Sequence, residues 1–323
     1  MENKLDLKSP ISSLFLTLVF VGITFAASAT IIQTAIASAD SFDIAATTES
    51  WDKLLKKHLK EEGAVDYQGF KKDHKDLESF IGSYKKLGEN ALTTDSQKTA
   101  AYINLYNAAM IYNLLKYANS KKMALTDPKF LAIKINDIEV PGGNIWNGDY
   151  KVNVGKHSVN LDGIEHGLIR RKAGDDMDKY KVSKIDPRIH SAVNCAALSC
   201  PPIRSDAYTA DNLDTLLNEN MKAWLSSNEQ FSKTGDSLRA NSIVHWYYSD
   251  FDDYAQKTLK TGGAGDYLSQ FISSDAVDAK WKVKHLKDNF NDRSFLSLKL
   301  SNDFSFYYDW HINDVRNFKV ANK

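Results

Sequence analysis

The chain has 323 residues, of which 43% are hydrophobic and 11% aromatic, and its 41 basic side chains balance its 41 acidic ones. A balanced charge excludes a protein that binds nucleic acid or an anionic membrane surface mainly through its net charge. Many aromatic residues and only six prolines are typical of a packed chain, which excludes an intrinsically disordered protein.

An uncharged, largely apolar segment near the N-terminus is typical of a secretory signal peptide. Residues 14–25 are almost wholly apolar, and no charged residue occurs from Ser9 to Ala39. Two Ala-x-Ala motifs, ending at Ala29 and Ala39, are candidate cleavage sites. We predict cleavage after Ala39, so that residues 1–39 are the signal peptide and the remaining chain does not insert into a membrane. Cleavage after Ala29 and an uncleaved membrane anchor are the alternatives.

Apolar residues at helical spacing predict three helices in the first part of the exported chain, over residues 49–62, 77–87 and 95–119. The third is apolar on nearly every face, which predicts a buried central helix. Asn104 and Asn107 lie within it, and buried amides need hydrogen-bond partners. We expect these two amides either to satisfy backbone groups of neighbouring loops or to line a polar cleft.

The apolar pattern changes later in the chain. Alternation over residues 150–159 predicts a β-hairpin, and a capping-box pattern predicts a short helix over residues 162–172. A buried strand is predicted over residues 189–194, a helix over 209–224 and a closing strand over 304–310. Helices and strands without a regular β-α-β rhythm predict an α+β fold, with the central helix packed on a small antiparallel sheet.

The two cysteines, Cys195 and Cys200, are first of all a disulfide candidate, because disulfides persist outside the cytoplasm. Alternatively, one of them is a thiolate nucleophile, which needs a nearby base. The candidate bases are His190 and His166, the latter with Glu165 to orient it. An extended strand would keep His190 about 16 Å from Cys195, so a dyad with His190 requires a bend in the strand.

Each candidate acid or base also has a structural interpretation. Glu165 fits the acid of a capping box, His166 an exposed helix residue, and His190 a core histidine. A metal site built from His166, His190 and Asp309 lacks any recognised ligand spacing. We therefore predict no metal and no cofactor.

Six motifs, in order along the chain, resemble the domain of unknown function 547 family, which occurs in bacterial exported proteins and in larger eukaryotic proteins. The motifs are GAVDYQGF (63–70), AAYINLYNAAMIY (100–112), NLDGIEHGLIRR (160–171), DPRIHSAVNCAALSCPPIRSDAY (186–208), IVHWYYSDF (243–251) and YDWHIND (308–314). The resemblance implies a single domain over residues 40–323 and, with the signal peptide, a periplasmic location in a bacterium.

The resemblance also implies a set of functional residues, although the family brings no established reaction. They are Asn104, Tyr106, Asn107, Glu165, His166, Arg170, Arg188, His190, Asn194, Cys195, Ser199, Cys200, Pro201, Trp246, Asp309, Trp310 and Asn313. The layout is distantly similar to papain-like and transglutaminase-like folds. In that comparison an Asn occupies the helix position of the nucleophilic Cys, which argues against ordinary protease chemistry.

Two functions follow from these residues. The first is a cleft enzyme of hydrolase or acyl-transferase type with a Cys/His site. The alternative is a non-catalytic periplasmic binding module, held together by a disulfide, for a peptide or small-molecule ligand. In either case the candidate binding residues are Asn104, Asn107, Arg170, Arg188, Asn194 and Asp309.

Overall fold

Helices and short strands follow one another irregularly in the computed structural model, which describes residues 41–60, 63–291 and 304–321. The α-helices are α1 (Ile44–His58), α2 (Tyr67–Lys72), α3 (His74–Ser83), α4 (Asp95–Ser120), α5 (Pro128–Leu131), α6 (Leu213–Ser226), α7 (Ile243–Trp246), α8 (Tyr248–Asp253), α9 (Ala264–Ser269), α10 (Ala279–Phe290) and α11 (Val315–Ala321). The strands are β1 (Glu139–Val140), β2 (Gly143–Asn144), β3 (Val152–Val154), β4 (His157–Val159), β5 (Phe231–Thr234), β6 (Ser237–Asn241) and β7 (Phe304–Tyr307).

These strands pair into small sheets. The predicted hairpin is confirmed, since β3 and β4 are antiparallel with Val152 opposite Val159. Strands β1 and β2 form a second antiparallel pair. In the sheet β5-β6-β7, β5 and β6 are antiparallel, whereas the closing strand β7 runs parallel to β6.

The described residues from Asp43 onward form one compact unit, and the predicted α+β class with a single domain is confirmed. The predicted signal peptide, residues 1–39, lies outside the described residues. No helix in the described ranges is both long and apolar enough to cross a membrane.

The central helix α4 is the most deeply buried element. It begins with a capping box, in which the Thr94 hydroxyl accepts from the Gln97 amide and the Gln97 side chain accepts from the Thr94 amide. Almost every residue from Thr99 to Leu115 is buried, because α1, α2, α3 and a π-helix at Gly163–Ile169 pack around it. The helix predicted over residues 95–119 is therefore confirmed within one residue.

Other predicted elements differ from the structure. Helix α1 begins at Ile44 rather than at residue 49, because Asp43 caps it by accepting from the Ala46 amide, and it ends at His58. The strand predicted over residues 189–194 is wrong, since Pro187–Ser191 is a 3₁₀-helix. All six of those positions are buried. Because every one of them faces the interior, the alternation of apolar residues does not distinguish a strand from a helix here.

The short helix predicted over residues 162–172 is a π-helix over Gly163–Ile169. Asp162 makes no side-chain cap at its start, so the capping-box interpretation of Glu165 is wrong. The Arg170 amide donates to the Glu165 carbonyl at 2.8 Å, five residues back, as the wide helix requires. Single π-turns of this kind occur frequently at functional sites.

The loop of residues 192–201, called here the cysteine loop, is attached to α4 by one buried amide. The Asn107 side chain donates to the Ala192 carbonyl at 3.0 Å and accepts from the Asn194 amide at 2.8 Å. Asn194 in turn donates to the Pro201 carbonyl at 2.8 Å and accepts from the Ala196 amide at 2.7 Å. The two asparagines thus hold both ends of the loop against the central helix.

Asn104 acts in the same way on a different loop. Its side chain donates to the Tyr208 carbonyl at 2.7 Å and accepts from the Tyr208 amide at 3.0 Å. Of the two alternatives for the central-helix amides, the structure therefore supports satisfaction of buried backbone groups.

The two hydrogen bonds between Asn107 and the cysteine loop predict a specific loss of stability when the side chain is removed. We expect Asn107→Ala to lower the free energy of unfolding by about 2–6 kcal/mol, because two buried backbone groups lose their partner at about 1–3 kcal/mol each. Asn119→Ala, at an exposed position of the same helix, is the control and should change it by less than about 0.5 kcal/mol. Urea unfolding measures both, and equal losses in the two variants would contradict the role given to the Asn107 hydrogen bonds.

Candidate functional site

All five candidate catalytic residues line one cleft of about 230 Å³. They are Glu165, His166, His190, Cys195 and Cys200. The π-helix supplies the first two, the 3₁₀-helix the third and the cysteine loop the last two. The other residues that line the cleft are Tyr106, Asn144, Trp146, Asp162, Val193, Ile243, Trp246, Tyr247, Tyr308 and Trp310.

Cys195 and Cys200 are joined in a disulfide, with their Cα atoms 6.3 Å apart. A turn brings them together, because Ala196 adopts a positive φ of 64° and the Cys200 amide donates to the Ala197 carbonyl. The Tyr308 hydroxyl lies 2.8 Å from Sγ of Cys195 and 3.0 Å from Sγ of Cys200. Cys195 is half-buried and Cys200 buried, so the first is the more accessible sulfur.

His190 is held by a carboxylate that sequence reasoning did not identify. Its Nε2 lies 2.9 Å from Oδ2 of Asp250, and that carboxylate also accepts two hydrogen bonds, at 2.6 and 3.0 Å, from the Arg170 guanidinium. Burial would raise the pKa of Asp250, but the hydrogen bonds from His190 and Arg170 outweigh it and hold the pKa well below its usual range. Asp250 is therefore ionised and fixes the proton of His190 on Nε2.

The other ring nitrogen of His190 is left with a lone pair. Burial lowers the pKa of His190 more than Asp250 raises it, so the imidazole is neutral. Its Nδ1 is buried and has no hydrogen-bond partner among the described residues. The ring stacks on Tyr247 at a centroid distance of 3.7 Å. A neutral imidazole in a fixed tautomer beside a cleft has the form of a general base.

Glu165 and His166 belong to the same hydrogen-bonded group. The Tyr247 hydroxyl donates to Oε1 of Glu165 at 2.6 Å, and the Arg170 guanidinium donates to Nδ1 of His166 at 2.8 Å. Glu165 lies 3.8 Å from that nitrogen, too far for a hydrogen bond. Arg170 rather than Glu165 therefore orients His166, and it links His166 to Asp250.

The remaining binding candidates lie outside the lining of the cleft. Arg188 binds Asp186 and Asp214 near the surface, and Asp309 accepts from the backbone amide and ring of His311. Asn104, Asn107 and Asn194 lie in the backbone contacts described above. Among the described hydrogen bonds of the six binding candidates, those of Arg170 reach a residue that lines the cleft, His166.

Several residues at the site were missed by sequence reasoning. Asp162, Tyr247, Asp250 and Tyr308 all occur within the recognised motifs, but nothing in the sequence assigns them a partner. Trp146 was also missed and lies outside the motifs. In the described part of the chain, no group of three or more His, Cys, Asp or Glu side chains is placed to hold a metal ion.

The fold and the site together define an α+β domain with a cleft in which a disulfide, a histidine–aspartate pair and several aromatic rings meet. The model of the family of proteins of unknown function DUF547 matches residues 90–225, which include α4, the π-helix and the cysteine loop. That part of the chain is therefore similar to this family. Searches of the curated proteins and of the solved structures found no match.

The lowered pKa of His190 predicts a pH-dependent stability. The unfolded histidine titrates near pH 6.5 and the folded one lower, so the unfolded state binds more protons between these values. The stability that neutral His190 provides is therefore present above pH 6.5 and is lost as the pH falls through that window. We expect a slope of up to about 1.4 kcal/mol per pH unit, which His190→Asn removes. Urea unfolding of both proteins between pH 7 and pH 5 tests this, and parallel slopes would refute it.

Proposed function

We propose that this protein is an exported, non-catalytic binding module whose ligand occupies the cleft between the cysteine loop and the π-helix. The observation that carries the proposal is the Cys195–Cys200 disulfide in the cleft, which leaves neither thiol available as a nucleophile. The proposed export fits this pairing, because disulfides persist in oxidising compartments such as the periplasm.

The shape and chemistry of the cleft support a small ligand. Binding sites are typically concave, lined by apolar and aromatic side chains, and carry a few polar groups that fix orientation. Here the aromatic side chains outnumber the polar groups, which include Asp162, Glu165 and His166. A cleft of about 230 Å³ accommodates a small molecule or one side chain of a peptide.

The binding-module proposal predicts the behaviour of the thiols. We expect no thiol to titrate in the native protein. Cys195→Ser and Cys200→Ser should lower the free energy of unfolding equally, by about 2 kcal/mol, because either change breaks the same short loop. Thiol titration with and without denaturant, followed by urea unfolding of each variant, measures both effects. Two titratable thiols in the native protein would contradict the proposal.

The second candidate is the cleft enzyme, and the His190–Asp250 pair is the observation that favours it. An external thiol would first reduce the disulfide, supplying two electrons and two protons. Nδ1 of His190 would then take the proton of the more accessible thiol, Cys195, whose thiolate attacks an acyl carbon and expels the leaving group with that proton. Water or an acceptor amine would break the thioester, which makes the protein a hydrolase or an acyl transferase.

One set of variants separates the two candidates. For the enzyme, hydrolysis of an activated ester such as p-nitrophenyl acetate should appear only after reduction and disappear in Cys195→Ser and His190→Asn. Cys200→Ser should be active without reductant, because it leaves Cys195 permanently free. For the binding module, all four proteins should match the uncatalysed rate under both conditions. The measurement is the initial rate before and after reduction.

A further inference from the structure

Four aromatic side chains form one side of the cleft, called here the aromatic wall: Trp146, Trp246, Tyr308 and Trp310. Trp310 is at its centre, with ring centroids 4.4 Å from Tyr308, 5.4 Å from Trp246 and 5.8 Å from Trp146. Trp246 stacks on Trp310 and keeps 45% of its surface exposed, although it is a large apolar residue. An exposed aromatic surface that continues into a cleft is a feature of ligand-binding grooves.

The charged side chains that line the cleft beside this wall are carboxylates, Asp162 and Glu165, with His166 next to them. The guanidinium of Arg170 binds Asp250 through Nε and Nη2, while its Nη1 donates to His166 and its face lies over the Tyr247 ring. Its positive charge is therefore matched first by the carboxylate of Asp250. His190 is neutral. The cleft therefore has an excess of negative charge.

Asp162 is a partly desolvated carboxyl group at the edge of the cleft. Burial raises the pKa of its carboxyl group, and the neighbouring Glu165 raises it further, while His166 opposes them. Two carboxylates at the edge of a partly desolvated cleft repel each other, and a cation bound between them and the rings would remove that repulsion. Aromatic faces add to the attraction, because their quadrupole favours a cation within about 6 Å of the ring.

From these contacts we infer that the cleft binds a ligand through an alkylated ammonium group, seated on the aromatic wall and facing the carboxylates of Asp162 and Glu165. The inference deepens the proposed binding function and rests on it. An alkylated group fits better than a primary ammonium, because Glu165 already accepts from Tyr247 and lies within hydrogen-bonding reach of Tyr106. A quaternary ammonium needs no hydrogen-bond acceptor, only negative charge and ring faces.

Two probes of equal shape test the charge directly. Choline and its neutral isostere 3,3-dimethyl-1-butanol should be titrated against the purified, oxidised full chain by calorimetry. We expect choline to bind about tenfold or more tightly than the isostere. Equal affinities would overturn the inference, because the cleft would then select an apolar shape and not a charge. Failure of both probes to bind at millimolar concentration would overturn it too.

Variants locate the binding. Trp246→Leu and Asp162→Asn should each weaken choline binding about tenfold, since the first removes a ring face and the second a charge. Asp162 is half-buried and its amide variant is isosteric, so a folded protein is expected. Trp281→Phe is the control, because Trp281 stacks on His285 and does not line the cleft. Unchanged choline affinity in both cleft variants would contradict the assignment.

The two proposals fail separately. Choline binding together with reductant-dependent esterase activity would refute the binding module as the whole function and leave the ammonium site standing. A protein with no free thiol and no activity that binds the neutral isostere as well as choline would keep the binding module and refute the ammonium site.

Discussion

The cleft depends on one buried contact, the side-chain amide of Asn107 against the backbone of the cysteine loop. This amide lies in the middle of the most buried helix, where an unpaired donor or acceptor would cost about 1–3 kcal/mol. Because it meets both Ala192 and Asn194, it fixes where the loop leaves the 3₁₀-helix. Asn194 holds the turn that closes the disulfide, because it accepts from the Ala196 amide and donates to the Pro201 carbonyl. The sulfurs thus occupy their place in the cleft because the core requires its polar groups to be satisfied.

A second constraint is electrostatic and centres on Arg170. A buried guanidinium requires a partner, and Asp250 provides one from a helix 80 residues further along the chain. The same carboxylate sets the tautomer of His190, and the same guanidinium orients His166. One ion pair therefore contacts both histidines. The carboxylates that line the cleft itself are those of Asp162 and Glu165.

The sequence predicts those features that depend on local periodicity. The hairpin has a clear period of 2, and helix α4 is a long run of apolar residues that starts at a good cap; both are present. The 3₁₀-helix at His190 was predicted as a strand because residues 189–194 are buried on every side. The π-turn and the role of Asp250 have no local signal, since tertiary contacts determine them. The family resemblance predicts that Glu165, His166 and the cysteines belong to one site, but it does not predict which contacts hold their side chains.

The disulfide and the His190–Asp250 pair favour different functions for the cleft. A fully buried histidine with an unpartnered ring nitrogen costs stability, because its lone pair is desolvated without compensation. Such a group persists where a ligand or a reaction uses it. In the oxidised protein neither cysteine retains a thiol that could donate to this nitrogen. The proposed ammonium ligand would be held by the aromatic wall and the carboxylates of Asp162 and Glu165, without a contact to the buried Nδ1 of His190.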